Sequence, residues 1–417
     1  YIAVLFLVAW WSGRKADNAS FFTGARKTPW YIAAFAMVGA AISGVTFISV
    51  PGSVAADGFS YMQMVLGFFV GNIIIAFVLI PLFYKMNVVS LYEYLDTRFG
   101  VLSHKTGAWF FFLSKMLGAA LRAYVVCAVL QLLVFDQYIL PFVLNAAIMM
   151  LLVWLYTRQG GVKSIVWTDT LKTFCLIGSV VLCIVFVMRD LGLSIGEMTA
   201  QVAGHDYSKM FFFDNVSDSR YFWKKFVAGI FMVIAMTGLD QDMMQRNMSC
   251  RTMRDSQTNI ILTAICQAVV ILLFLSLGAL IYRYIDFAAL PAPARGDDAF
   301  PLVATQGGLP VVAGVMFVIG LISSTYSAAG SALTSLTTAY TIDILDGRKR
   351  LDEEQLTSLR KRVHAVMAVV MSLLIVGFYD LGEGSVINLV FKIAGYTYGP
   401  ILGMFVFCLL SKREVKG

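Results

Sequence analysis

The stretch MVGAAISGVTFISVPGS, Met37 to Ser53, decides how this chain is read. It lies in an apolar run long enough to cross a bilayer, yet its centre holds Gly39, Ser43, Gly44 and Thr46, and Pro51-Gly52 closes it. Glycine and proline weaken a helix, and hydrocarbon penalises every backbone N–H or C=O left unpaired. A span of that composition is built to open in its middle. A second run, FMVIAMTGLDQDMMQRN, Phe231 to Asn247, also begins apolar and then meets Thr237, Gly238, Asp240, Gln241 and Asp242.

The rest of the chain explains why these runs sit in a membrane. Of its 417 residues, 59% are hydrophobic and 14% charged, where a soluble domain carries about 25% charged residues. Mean hydropathy is +0.78. The composition is that of an all-α polytopic membrane protein whose first partner is the lipid bilayer. Apolar runs fall at 1–12, 29–51, 61–84, 106–134, 137–157, 164–188, 222–245, 257–283, 310–345, 363–380 and 385–411. The first is about half of the ~20 residues a span needs. It reads as the back half of a helix and not as a signal peptide, because no cleavage site follows. The chain stops directly after an apolar run, at SKREVKG, which reads as a protein that continues.

Lysine and arginine orient the spans. Alternate loops, beginning with 13–28, hold 21 of them, with Arg246 counted in this set, and the opposite loops hold 5. By the positive-inside rule the richer side is cytoplasmic, which puts the N-terminus outside and the basic residues 412–417 inside the cell membrane. The net charge of +7 is therefore a topology signal; no basic run with interleaved aromatics points to nucleic acid. The six cysteines show no metal or disulfide spacing and read as packing residues. His104, His205 and His364 are far apart, and no Ser/His/Asp set suggests an enzyme.

Two interrupted helices in corresponding positions of two five-span halves are the signature of a transporter with inverted repeats. Unwound backbone at mid-membrane offers carbonyls and helix ends to a cation and a substrate. The competing account is that Gly39, Ser43 and Gly44 only let helices pack closely. The implied organisation is an extra helix and loop over 1–28, a first repeat over 29–188, an extracellular loop over 189–221, a second repeat over 222–411, and a basic tail over 412–417.

Four stretches, in order along most of the chain, resemble the sodium/solute symporter family: NVVSLYEYLDTRFG (Asn87–Gly100), GGVKSIVWTDTLKT (Gly160–Thr173), DQDMMQR (Asp240–Arg246) and SSTYSAAGSALTS (Ser323–Ser335). The resemblance implies a LeuT-like core of five plus five helices preceded by one helix, and sodium-coupled uptake of a small-molecule substrate. It implies a main sodium site of the Gly39 and Ile42 carbonyls with Ser324 and Ser327; Ala328 stands where Ser or Thr is usual. It implies, for some members, a second sodium site at Asp169, Ser43 and Ser331. It places substrate contacts at Thr46, Asp240, Gln241 and Tyr396. From the residues themselves, Ser324, Ser327 and Ser331 share a helix face. Asp169 is either functional or an interfacial ion pair with Lys172 at i+3. Arg122, deep in its span, is either a substrate ligand or a counter-ion to Asp169, Asp240 or Asp242; for Lys392 the structural role is favoured. GYTYGPILGMF resembles the branch handling iodide, monocarboxylates and vitamins, and Val65 and Phe68 stand where sugar carriers place polar groups, which leans toward a small anion. A sensor module, or an uncoupled or proton-coupled carrier of the same fold, is the alternative.

Overall fold

The computed structural model describes residues 2–13, 17–86, 90, 92–131, 135–158, 160–293, 295–380 and 386–411, without the side chains of 45, 125, 129, 130, 137, 380, 386–395 and 410. The tail expected over 412–417 and the side chain of Lys392 lie outside the described residues. Among the described residues each of the eleven apolar runs holds a helix or a broken pair: α1 (Ile2–Gly13), α2 (Trp30–Ala41), α3 (Gly44–Gly52), α4 (Tyr61–Met86), α5 (Val101–Leu130), α6 (Phe142–Thr157), α7 (Val162–Asp190), α8 (Phe222–Gly238), α9 (Gln241–Asn247), α10 (Met253–Phe287), α11 (Val311–Ile344), α12 (Glu353–Asp380) and α13 (Val386–Leu410). Six unbroken helices, together with the bent pairs α2–α3 and α8–α9, are long and apolar enough to cross a membrane. α12 begins at Glu353, ahead of the apolar run at 363. Its first turn carries Glu353 and Glu354, which suit a helix N-terminus outside hydrocarbon.

Both expected interruptions are real breaks, and they share one construction. α2 ends at Ile42, whose backbone is extended (φ −91°, ψ 106°), and the chain restarts from Ser43 at a bend of 63°. The Ser43 hydroxyl accepts from the Thr46 N–H at 3.1 Å and caps α3. α8 ends in a widened turn over Ile234–Gly238, and the chain restarts from Asp240 at a bend of 72°. The Asp240 carboxylate accepts from the Met243 N–H at 3.1 Å and caps α9. In each case a short polar side chain that competes with helix geometry starts the second half.

Packing is closest where α4 crosses α8. Added to Gly67, a Cβ would run into the Phe226 carbonyl, and one added to Gly229 would run into that of Met64. Gly67 and Gly71 form a small-xxx-small pair, the pattern that lets backbones touch in a bilayer. Two large buried apolar clusters result, beside two small ones, and α5 and α11 contribute to both large ones. Substituting Gly229→Leu therefore forces the α4–α8 crossing apart. It is expected to cost ~1–3 kcal/mol or more, read as a lowered melting temperature in detergent. Gly377→Ala, where an added Cβ meets nothing within 4 Å, is expected to leave the melt unchanged.

Candidate functional site

The two breaks face a common cavity of about 270 Å³, lined from α2 through α5 and from α7 through α11, with Tyr398 of α13. Its polar wall is organised by Arg246, the sixth residue of α9, which is 2% exposed. Arg246 Nε donates to Asp169 of α7 at 2.7 Å, Nη1 donates to Asp242 at 2.7 Å, and Nη2 donates to the Ser331 hydroxyl of α11. Ser327 donates to the other oxygen of Asp169, and Ser331 donates to Asp242. Lys115 of α5 meets Asp242 at 2.7 Å and Asp240 at 3.3 Å. Tyr398 donates to Asp240 at 2.6 Å, and Tyr92 donates to the Leu239 carbonyl at 3.1 Å, securing the break from the far side. A guanidinium has five donors in a fixed fork, so it can hold two carboxylates and a hydroxyl at once.

Thr46, Arg122 and Asp240 line the cavity, as do Ser43, Ser327, Ala328 and Ser331. Gln241 is buried but outside the lining. Tyr396 is 69% exposed and faces away; Tyr398 takes the inward position instead. Two residues along a helix turn a side chain by roughly 200°, so an assignment two residues off lands on the opposite face. Gly39 sits against the Asp169 carbonyl, 3.1 Å from where its Cβ would be, and Gly44 lies against Ser324, 2.6 Å by the same measure. The α2–α3 break is thus seated on α7 and α11.

The set Asp169, Ser43 and Ser331 is differently employed. Both Asp169 oxygens are taken by Ser327 and Arg246, Ser331 lies between Arg246 and Asp242, and Ser43 caps α3. Of the two readings of Asp169, the ion pair with Lys172 is not formed; Asp169 pairs with Arg246, 77 residues on. Arg246 itself is buried, so it does not belong among the loop charges; without it the bias is 20 to 5. Lys115 escaped the sequence reading, although it lies seven residues before Arg122 on one helix, a spacing that puts both on one face.

Lys172 is 1% exposed and lines the cavity. Among the described residues neither Lys172 nor Arg122 has an ion-pair or hydrogen-bond partner. The carboxylates offered to Arg122 as counter-ions are held by Arg246, Lys115 and Tyr398.

For sodium the fit rests on oxygen chemistry. Among the described hydrogen bonds, the carbonyls of Gly39 and Ile42 accept no backbone N–H, because the helix ends there and the Thr46 N–H turns to Ser43. The Ser324 and Ser327 hydroxyls each spend their proton, on Leu321 O and on Asp169. Lone pairs remain for a cation. Four neutral oxygens of this kind suit a hard ion; Ala328 adds none.

Removing one partner of a buried ion cluster leaves the others uncompensated, at ~3–5 kcal/mol. Arg246→Met is expected to lower the melting temperature sharply. Asp169→Asn combined with Arg246→Met is expected to recover part of that loss, a non-additivity that a double-mutant cycle reads directly.

The sodium:solute symporter family model matches residues 21–416. The chain is 24% identical to the sodium/sialic acid symporter SiaT of Proteus mirabilis, over 100% of this chain and 84% of that one. It is 25% identical to the human sodium/iodide cotransporter, over 94% of this chain but only 61% of the relative. It is 26% identical to the sodium-dependent multivitamin transporter of rabbit (Oryctolagus cuniculus), spanning 57% of its length. In fold it matches the substrate-bound outward-open structure of a Na+-coupled sialic acid symporter, with a TM-score of 0.85, 22% identity, and coverage of 99% of this chain and 85% of the other. It also matches the closed conformation of Mhp1, a nucleobase-cation-symport-1 family transporter, at 0.61 and 15% identity over 95% of this chain and 80% of that one. The likeness to these solved structures is one of fold, and the family match over nearly the whole chain carries the identity: the chain belongs to the sodium:solute symporter family.

Proposed function

We propose that this chain imports a small organic anion, a carboxylate in the first instance, together with sodium by alternating access. The observation that carries the anionic substrate is the pair Arg122 and Lys172, two cations on the cavity wall that make no direct ion pair or hydrogen bond among the described residues. Around the cavity Lys115, Arg122, Lys172 and Arg246 face Asp169, Asp240 and Asp242, four positive groups against three negative. An uncompensated cation in a low-dielectric site is costly, and one bound carboxylate relieves it. Arg122 offers a planar fork that pairs bidentately with a carboxylate, and Lys172 a point charge. Thr46 supplies a hydroxyl at the rim of the first break, and Asp240, held by Lys115 and Tyr398, shapes the opposite wall. The names of the relatives, with sialic acid, iodide and monocarboxylate among them, agree with an anionic cargo.

The ion goes to Gly39, Ile42, Ser324 and Ser327. The alternative set of Asp169, Ser43 and Ser331 is left aside, because Arg246 supplies the positive charge there. Sodium bound between the α2–α3 break and α11 braces the break in its substrate-ready form; its release on the low-sodium side loosens that contact. A bound ion shifts such an equilibrium only by its difference in affinity for the two states. Residues 29–188 and 222–411 act as two inverted repeats, each carrying one side-chain-capped break. The loop charge bias, 20 to 5, puts the N-terminal side outside the cell.

The test is thermal stabilisation of the purified protein by carboxylates and their neutral amides, each in sodium and in potassium buffer, followed by uptake into proteoliposomes. A true ligand at a hundredfold over its Kd stabilises by ~2.7 kcal/mol. Carboxylate stabilisation in sodium alone is expected. Arg122→Gln should weaken it ~10-fold or more, as the loss of a charge-assisted hydrogen bond does, and Ser327→Ala should shift the sodium dependence to higher concentration. Equal effects in potassium would overturn the coupling, and equal effects of the amides would overturn the anion.

A further inference from the structure

A second cavity, about 260 Å³, lies where the end of α6 meets the early turns of α12, away from the central site. Its walls are Trp154, Arg158, Lys361 and His364, with no carboxylate among them. His364 is fully engaged: Nε2 is 2.9 Å from the Thr157 hydroxyl and Nδ1 is 2.8 Å from that of Thr337. It serves as a fixed wall, not as a free ligand. The other three groups are donors with capacity to spare. Trp154 Nε1 is shielded from solvent and, among the described residues, has no hydrogen-bond partner. Arg158 lies over the Trp154 ring, 5.2 Å from its centre, and has no ion pair among the described residues; nor has Lys361. A third cation is near: Arg360 sits 4.4 Å over the Phe21 ring, which meets the His364 ring at 5.7 Å. Its Nε and Nη1 also find no acceptor among the described residues.

We propose that this cavity seats the headgroup phosphate of an anionic phospholipid. The indole N–H of Trp154, the Arg158 fork and the Lys361 ammonium converge on one anion. A phosphate has enough acceptor oxygens for all three, and arginine pairs with it bidentately. The place in the fold selects a lipid over free phosphate. α6 packs along α12, with Phe142 stacked on Tyr379 at 4.1 Å at the far end. Beyond the basic end both helices expose apolar side chains. Leu151 and Leu144 on α6, and Val366 and Leu373 on α12, are each at least 40% exposed. Acyl chains can lie on that surface, which free phosphate would leave bare. An arginine, a lysine and a tryptophan at the end of a membrane helix are where headgroups reside.

Native mass spectrometry of the full chain tests this, after reconstitution in nanodiscs of phosphatidylcholine alone or with phosphatidylglycerol. The wild type is expected to retain one phosphatidylglycerol and no phosphatidylcholine. Arg158→Gln combined with Lys361→Gln should weaken that retention at least ~10-fold, with an unchanged melt in phosphatidylcholine nanodiscs. Should the double variant fail to fold, Trp154→Phe removes only the N–H and should weaken retention several-fold. Equal retention by wild type and variants would overturn the site. Displacement of the lipid by inorganic phosphate at matched concentration would overturn its assignment to a lipid.

Discussion

The buried guanidinium of Arg246 is the constraint on which the rest of the cavity depends. Taking it out of water is costly, and the cost is offset only if its donors are satisfied. Asp242 lies one turn before it on α9, Asp169 projects from α7, and Ser331 projects from α11. These partners come from three helices, so satisfying Arg246 fixes where those helices stand. The break before α9 is what makes this possible. A straight continuation of α8 would carry residues 241–247 along a different line, whereas the 72° bend turns Arg246 inward at mid-bundle. Once Arg246 holds Asp169 and Asp242, and Lys115 meets Asp240 and Asp242, Arg122 and Lys172 make no direct ion pair with a carboxylate among the described residues.

How much of this could be read from the sequence depends on the range of each interaction. The helices and both breaks were legible because their causes are local: apolar runs of the right length, and glycine, serine, threonine and aspartate where a span should be apolar. Arg246 was misread for the opposite reason. Next to Asn247 and close to Arg251 and Arg254, it looks like a loop charge at the end of a span, and nothing local says that α9 folds back into the bundle. Asp169 likewise has Lys172 three residues away, and local spacing favours that pair. The tertiary fold gives Asp169 a better partner 77 residues on and leaves Lys172 facing the cavity. Tyr396 illustrates the angular limit. Resemblance located the right turn of α13, but the choice between Tyr396 and Tyr398 needs the helix phase, which an apolar segment without a strong amphipathic pattern does not reveal.

The two breaks do not do the same work. At the first, the extended backbone at Ile42 and the cap on Ser43 leave main-chain carbonyls facing neighbours, and the surrounding side chains are small and neutral. At the second, the cap is a carboxylate, and Lys115 and Tyr398 are bound to it. Neutral oxygens suit a monovalent cation that must leave again, because a full charge in the same place would hold it too firmly. The charged break is tied instead to α5 and α13 through Lys115 and Tyr398, and moving it would expose several buried charges at once.

In the proposed arrangement the ion and the anion also share a physical conduit. Ser327 contributes an oxygen to sodium while donating its proton to Asp169, and Asp169 holds Arg246 with its other oxygen. A cation on a hydroxyl oxygen makes that hydroxyl a stronger donor, and linked hydrogen bonds polarise one another. Sodium at Ser327 therefore draws charge out of Asp169 and raises the positive potential felt in the cavity beside Lys172, one turn away on α7. A bound carboxylate lowers that potential and eases the ion's entry. The two effects are one coupling free energy seen from either end, so each ligand must raise the affinity of the other by the same factor. Ala328 fits this scheme: with one hydroxyl fewer, sodium is held less by its own ligands, and a larger share of its affinity must come from the anion beside it.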